Sequence, residues 1–283
     1  MTRRSAWLLG GAIAAMAAML LVDLTGLAWP RFDRLGLADR IAWAGLLGLG
    51  QLVLRRAGLV DLAAGAAVVL VAGLILNLAP TMGLPLALGG ALLVAVSATV
   101  SQTMLAARAR QPAWLGLGAL LLLLAAMPDT AGHLAAEPLR RLAQEAGPLG
   151  LPWSLWAYGV LAGLTCLVRR PLAAWLAAAG AAGLWWWLGL LAAGSGRTNP
   201  TDALAWCVEG LAVAGLAGRG VRPGLLAAII IGCALQAASL VGTQRPEWVV
   251  LALALIVAAQ PDLWHRRAVE RTPMPQDQQP TDR

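Results

Sequence analysis

Between Arg55-Arg56 and Arg108 runs AGLVDLAAGAAVVLVAGLILNLAPTMGLPLALGGALLVAVSATVSQTMLAA, residues 57–107, with one acidic residue, Asp61, and a Pro/Gly break at 80–85. About 20 apolar residues make one helical crossing of a bilayer, so this stretch reads as a hairpin of two. Arginine clusters recur along the chain at Arg3/Arg4, Arg55/Arg56, Arg108/Arg110, Arg169/Arg170, Arg219/Arg222 and Arg266/Arg267. Short positively charged loops stay on the cytoplasmic side, so each cluster marks one return to it. Five hairpins then give ten spans with both termini inside, and the count stays within eight to ten because four of the spans are short. The expected fold class is all-α, a polytopic transmembrane helical bundle.

The expected spans are 7–29, 41–54, 57–79, 83–106, 112–127, 151–168, 171–193, 203–218, 223–241 and 248–261. They form a single transmembrane domain over 1–267, divisible into halves 1–127 and 151–267 joined by an external loop 128–150. In that loop Glu137-Pro138-Leu139-Arg140-Arg141-Leu142 predicts a short amphipathic helix, with Leu139, Leu142 and Ala146 on one face. Residues 268–283, rich in Pro, Gln and Asp, predict a disordered cytoplasmic tail.

Composition agrees with the threading. Only 12% of residues are charged, 59% are hydrophobic and the mean hydropathy is +0.72, far from the usual soluble domain. The net charge of +7 comes from arginines on the cytoplasmic side, whereas acids balance arginines outside. The basicity is therefore topogenic, and with no basic run interleaved with aromatics it predicts no nucleic-acid partner. Lysine is absent and Ala, Leu, Gly and Arg dominate, the coding bias of a GC-rich bacterial genome. The expected location is the bacterial cytoplasmic (inner) membrane, multi-pass, with membrane lipid as the surrounding partner. Residues 1–21 look like a signal sequence, but the spans that follow make an uncleaved anchor the expectation.

Tryptophans fall near expected span ends: Trp29, Trp43, Trp153, Trp156, Trp206 and Trp248 outside, Trp7, Trp114, Trp175 and Trp264 inside. Indole prefers the headgroup level, and the run Trp185-Trp186-Trp187 reads as part of the same belt. Small residues, Ala174, Ala178 and Ala182 on one helix and Gly45 and Gly48 on another, mark close helix contacts.

Ionisable groups within spans are costly, about 2.5–3.5 kcal/mol each, so each calls for a role. An inner group comprises Asp61 and Gln51 with Ser97, Ser101 and Gln102; Asp61 and Ser101 have matching depths of about 8–10 Å. As part of a helix, Asp61 would share a face with Ala57, Gly58, Ala64 and Gly65. An outer group comprises Asp23, Asn77, Glu209 and Gln236, with Ala205 and Ala212 flanking Glu209. These eight site candidates, Glu209, Asp61, Asp23, Gln236, Asn77, Ser97, Ser101 and Gln102, would line a substrate or proton pathway. Plainer roles compete: Asp61 reaching back to Arg55 or Arg56, Asp23 meeting interfacial water, the rest bonding neighbouring helices.

No metalloprotease, nucleophile-elbow or phosphate-loop motif occurs, so no catalytic residue is named and an enzyme is the lesser expectation. Cys166, Cys207 and Cys233 lie in three different spans, predicting neither a disulfide framework nor a metal site. Asp129 and His133 could share one helical turn, and a surface ion pair is the favoured reading. No cofactor is expected. The leading expectation is a small-molecule or ion transporter using intramembrane carboxylates. The alternatives are a non-catalytic membrane subunit or assembly factor binding a protein partner or a second copy, and a membrane enzyme acting on a lipid or isoprenoid.

Overall fold

The computed structural model describes residues 3–25, 34–109, 112–126, 135–145, 147–167, 172–218, 220–241 and scattered positions in 250–256. Most of the expected tenth span, the tail 268–283, Asp129 and His133 lie outside the described residues.

Ten α-helices account for nearly all the described chain: α1 (Arg3–Thr25), α2 (Arg34–Arg56), α3 (Ala64–Met82), α4 (Leu84–Arg108), α5 (Pro112–Ala125), α6 (Glu137–Gln144), α7 (Trp153–Leu167), α8 (Ala174–Ser195), α9 (Pro200–Ala217) and α10 (Val221–Val241). No strand occurs among the described residues. Six helices (α1, α2, α3, α4, α8 and α10) are long and apolar enough to cross a membrane. With no water to satisfy it, backbone in a bilayer must pair with itself, and a helix does so within one segment.

The centre is built from α2, α3, α8 and α9. Helix α2 packs on α8, α9 and α10, and α3 packs on α4, α8 and α9; α1 rests on α10, α5 on α4, and α7 on α2. The four central helices bury most of their length, whereas α1 and α4 present bare apolar flanks, with Ile13 61% and Leu93 73% exposed. Small residues set the spacing. A methyl on Gly48 would overlap Val213, and one on Gly189 would overlap Val71. Ala178 and Ala182 are fully buried on α8. The small-residue faces expected from the sequence are thus contact faces.

Two boundaries depart from expectation for physical reasons. Helix α2 starts before the expected 41, because Asp39 and Arg40 need not leave it: Ser154 donates to Asp39 at 2.6 Å, and Arg40 lies 3.5 Å from the Leu235 carbonyl. Helix α3 starts later than 57. After Arg56 the chain turns through Gly58, whose φ of +76° suits a residue without a side chain, and segment 57–63 folds back irregularly against α2. Asp61 therefore shares no helix face with Ala57 and Gly58.

The amphipathic helix foreseen in the 128–150 loop is α6. It lies against α8, with Leu139 buried and a methyl on Gly194 leaving no room for the Leu139 carbonyl. Its solvent face carries Glu137, bonded by Arg140 and Arg141. The Arg141 hydrogen bond holds the Glu137 carboxyl below its usual range, so this bonding persists above that range and is lost as pH falls.

Candidate functional site

Two polar centres occupy the interior. The first is the irregular segment 57–63. Buried backbone outside regular structure needs partners, and here a side chain supplies them. The Gln51 amide donates to the Asp61 carbonyl and accepts from the Asp61 N–H at 3.3 Å, as a neighbouring strand would. Leu59 N–H reaches back to the Leu54 carbonyl at 2.9 Å.

The Asp61 side chain completes the arrangement. Its Oδ1 accepts from Ala63 N–H at 2.8 Å, just before the first turn of α3, and from the Gln102 amide of α4. Its Oδ2 accepts from the Trp185 indole N–H of α8 at 3.0 Å. Asp61 and Gln51 are fully buried, as is Trp185. One carboxylate thus ties α3, α4 and α8 together while Gln51 ties its backbone to α2. All three groups bonded to it are donors, the environment that suits an acceptor-only side chain.

One turn further along α3, Gly65 N–H donates to Cys207 Sγ of α9 at 3.2 Å. The two helices touch here backbone to backbone, since any side chain on Gly65 would overlap the Ala203 carbonyl.

The second centre gathers around Glu209, which is 6% exposed in the middle of α9. The charged groups acting on it are Arg40, Arg197 and Asp39. One turn before it, Trp206 stacks on Trp43 of α2 with ring centroids 4.8 Å apart, and the Arg197 guanidinium lies over the Trp43 ring at 5.7 Å. Gln236 of α10 is also buried, adjacent in sequence to the Leu235 carbonyl facing Arg40. Glu209 is therefore buried one turn from Trp206, in the field of Arg40 and Asp39 of α2 and Arg197 of the α8–α9 connection.

The structure joins some candidates and separates others. Asp61, Gln51 and Gln102 form one bonded cluster. Ser97 and Ser101 point away from it, exposed on α4, and Ser97 bonds back to the Val94 carbonyl of its own helix. The buried hydroxyls of α4 are instead Thr99 and Thr103, which sequence reasoning passed over; Thr103 bonds the Thr99 carbonyl at 2.6 Å. Asn77 bonds its own helix at Gly73, and Asp23 is half-buried on α1.

The tryptophan run corrects the belt reading. Trp185 is buried on Asp61, and Trp186 N–H donates to the Leu88 carbonyl at 3.1 Å, so both are interior helix ties. Their N–H groups were the overlooked signal, since a buried indole seeks an acceptor. Trp43 and Trp206, read as interfacial, are buried on each other; Trp7 and Trp175 are exposed, as a belt requires.

No group of three or more metal-ligating side chains occurs among the described residues. No family model, curated protein or solved structure matches the chain.

Proposed function

We propose that the chain is a small-molecule or ion transporter of the bacterial inner membrane, built from two halves of opposite orientation with both termini cytoplasmic. One observation carries the reading: the helices of the halves pack crosswise in matching fashion. Helix α2 lies on α9 as α8 lies on α3, and α2 lies on α10 as α8 lies on α4. Helix α3 lies on α4 as α9 lies on α10, while α2–α8 and α3–α9 face each other. Exchanging α2, α3 and α4 for α8, α9 and α10 leaves this set of contacts unchanged, as an approximate two-fold between inverted repeats would. The outer helices α1 and α7 break the pattern. Alternating access would rock one half against the other about the α2/α3/α8/α9 centre, with Glu209 as the proton-exchanging or substrate-binding carboxyl.

Cys207 provides the test, because it sits on the α3–α9 contact between the halves. In a Cys166→Ala/Cys233→Ala background, a water-soluble maleimide should modify Cys207 slowly in sealed membrane vesicles as the centre opens. The expected readout is a rate well below that of denatured protein but clearly measurable. A Cys207 that stays unmodified until the protein unfolds would overturn the reading. It would favour the non-catalytic membrane subunit, a role that suits the fully bonded Asp61 centre.

A further inference from the structure

We infer that the cleft between α2, α7 and α8 seats one acyl chain of an anionic phospholipid, whose phosphate rests on Arg56. This site is independent of the transport reading and requires only that the bundle lie in a bilayer.

The cleft has a volume of about 200 Å³. Its origin is a difference in helix spacing. At Gly45 the ring of Tyr158 lies so close that α2 and α7 touch directly. Further along, Leu49 and Val53 of α2 face Leu164 of α7 across open space, and α8 presents Gly180 as the third wall. Nothing lies within 4 Å of where a Gly180 side chain would begin. Leu164 is 54% exposed at the lip, so the cleft opens sideways, toward where lipid would be. An apolar recess of this shape on a membrane-embedded flank is complementary to a hydrocarbon chain, not to a polar solute.

The polar groups sit at one end only. Arg56 and Thr165 close the cleft there, with Arg56 Nη1 3.4 Å from the Thr165 carbonyl. The neighbouring arginine turns the other way: Arg55 donates to the Ala214 carbonyl of α9 at 2.9 Å. Both arginines thus tie the end of α2 to a neighbouring helix, and of the two only Arg56 lines the cleft. A guanidinium at the headgroup end of a hydrocarbon slot matches a phosphodiester above its own acyl chain, and a lipid lacking a compensating ammonium fits it best.

Native mass spectrometry of the detergent-purified chain tests this, with dioleoylphosphatidylglycerol and dioleoylphosphatidylcholine added in equal amounts. The expected result is one retained phosphatidylglycerol per chain, preferred by about tenfold, equivalent to about 1.4 kcal/mol. Arg56→Ala should abolish the preference, whereas Arg55→Ala should keep it if the protein remains folded. Gly180→Leu fills the slot and should lower retention of both lipids; Leu164→Trp, which blocks the lip without entering the core, should do the same. Equal retention of the two lipids by the unaltered chain overturns the proposal. So does full phosphatidylglycerol retention by the Leu164→Trp variant.

Discussion

Asp61 and Glu209 are both carboxyls buried inside an apolar bundle, yet their surroundings differ in kind. Asp61 is met by three N–H donors from the segment preceding α3 and from α4 and α8, and its backbone is matched by the Gln51 amide. Glu209 is instead buried in the field of Arg40, Arg197 and Asp39, and Trp206, stacked on Trp43 of α2, precedes it by one turn. A carboxylate fixed by directed donors locks helices together, because moving any one of them leaves a buried donor unmet. A carboxyl held by a diffuse field can gain or lose a proton with little rearrangement of bonds. Burial alone therefore does not identify a working residue; the directionality of its partners separates tie from tool.

The contrast can be broken most directly at Asp61. Asp61→Ala strands the Ala63 N–H, the Gln102 amide and the Trp185 indole N–H together. At about 1–3 kcal/mol for a stranded buried donor, with relaxation recovering part of it, the expected loss is about 3–5 kcal/mol. Thermal unfolding in detergent should show this as the lowest midpoint of the series. Asp61→Asn should rescue it only in part, since its amide must aim a donor at another donor. Full rescue by Asn would mean that the carboxylate is not selected by its donors.

Gln51→Leu comes next. It keeps side-chain volume but removes the donor and acceptor serving Asp61's backbone, an expected loss of about 2–3 kcal/mol. Hydrogen exchange should rise first in segment 57–63, well before α2 or α3 opens. Trp185→Phe follows: the lost bond to Asp61 costs about 1–2 kcal/mol, and the smaller ring also gives up its packing on Gly50 of α2. If it destabilised more than Gln51→Leu, packing and not hydrogen bonding would dominate the centre.

Much of the helical frame was legible in the sequence because it rests on length and hydropathy: α3, α4, α8 and α10 fall within a few residues of their expected spans, apart from the late start of α3. What escaped was cancellation between distant groups. The expected second span began at 41, just after Asp39 and Arg40, and only their partners on α7 and α10 explain why α2 runs through them. Segment 57–63 looked helical because apolar composition does not reveal that Gln51 would satisfy a non-helical backbone. At the candidate sites, Asp61 with Gln51 and Gln102 was legible from matching depth. The same depth argument misplaced Ser97 and Ser101, because the facing of α4 depends on which neighbour it packs against. Trp185 was missed because a tryptophan near a span end resembles a belt residue until an acceptor is found for its N–H.

The smallest expected effect on stability is at Glu209, and that smallness is what the comparison demands. Glu209→Gln preserves shape and polarity, and among the described residues no set of directed donors depends on its charge, so the unfolding free energy should fall by less than about 1 kcal/mol. Function should respond far more. An amide cannot exchange a proton, so proton uptake and release by the purified protein between about pH 5 and 9 should fall by one group relative to wild type. The two measurements separate the possibilities cleanly. Unchanged stability with a lost proton makes Glu209 a coupling group. A large stability loss makes it a second tie, equivalent to Asp61 and wrongly set apart from it. Unchanged stability with an unchanged proton count removes Glu209 from any proton pathway and leaves the indole–arginine cluster without a chemical role.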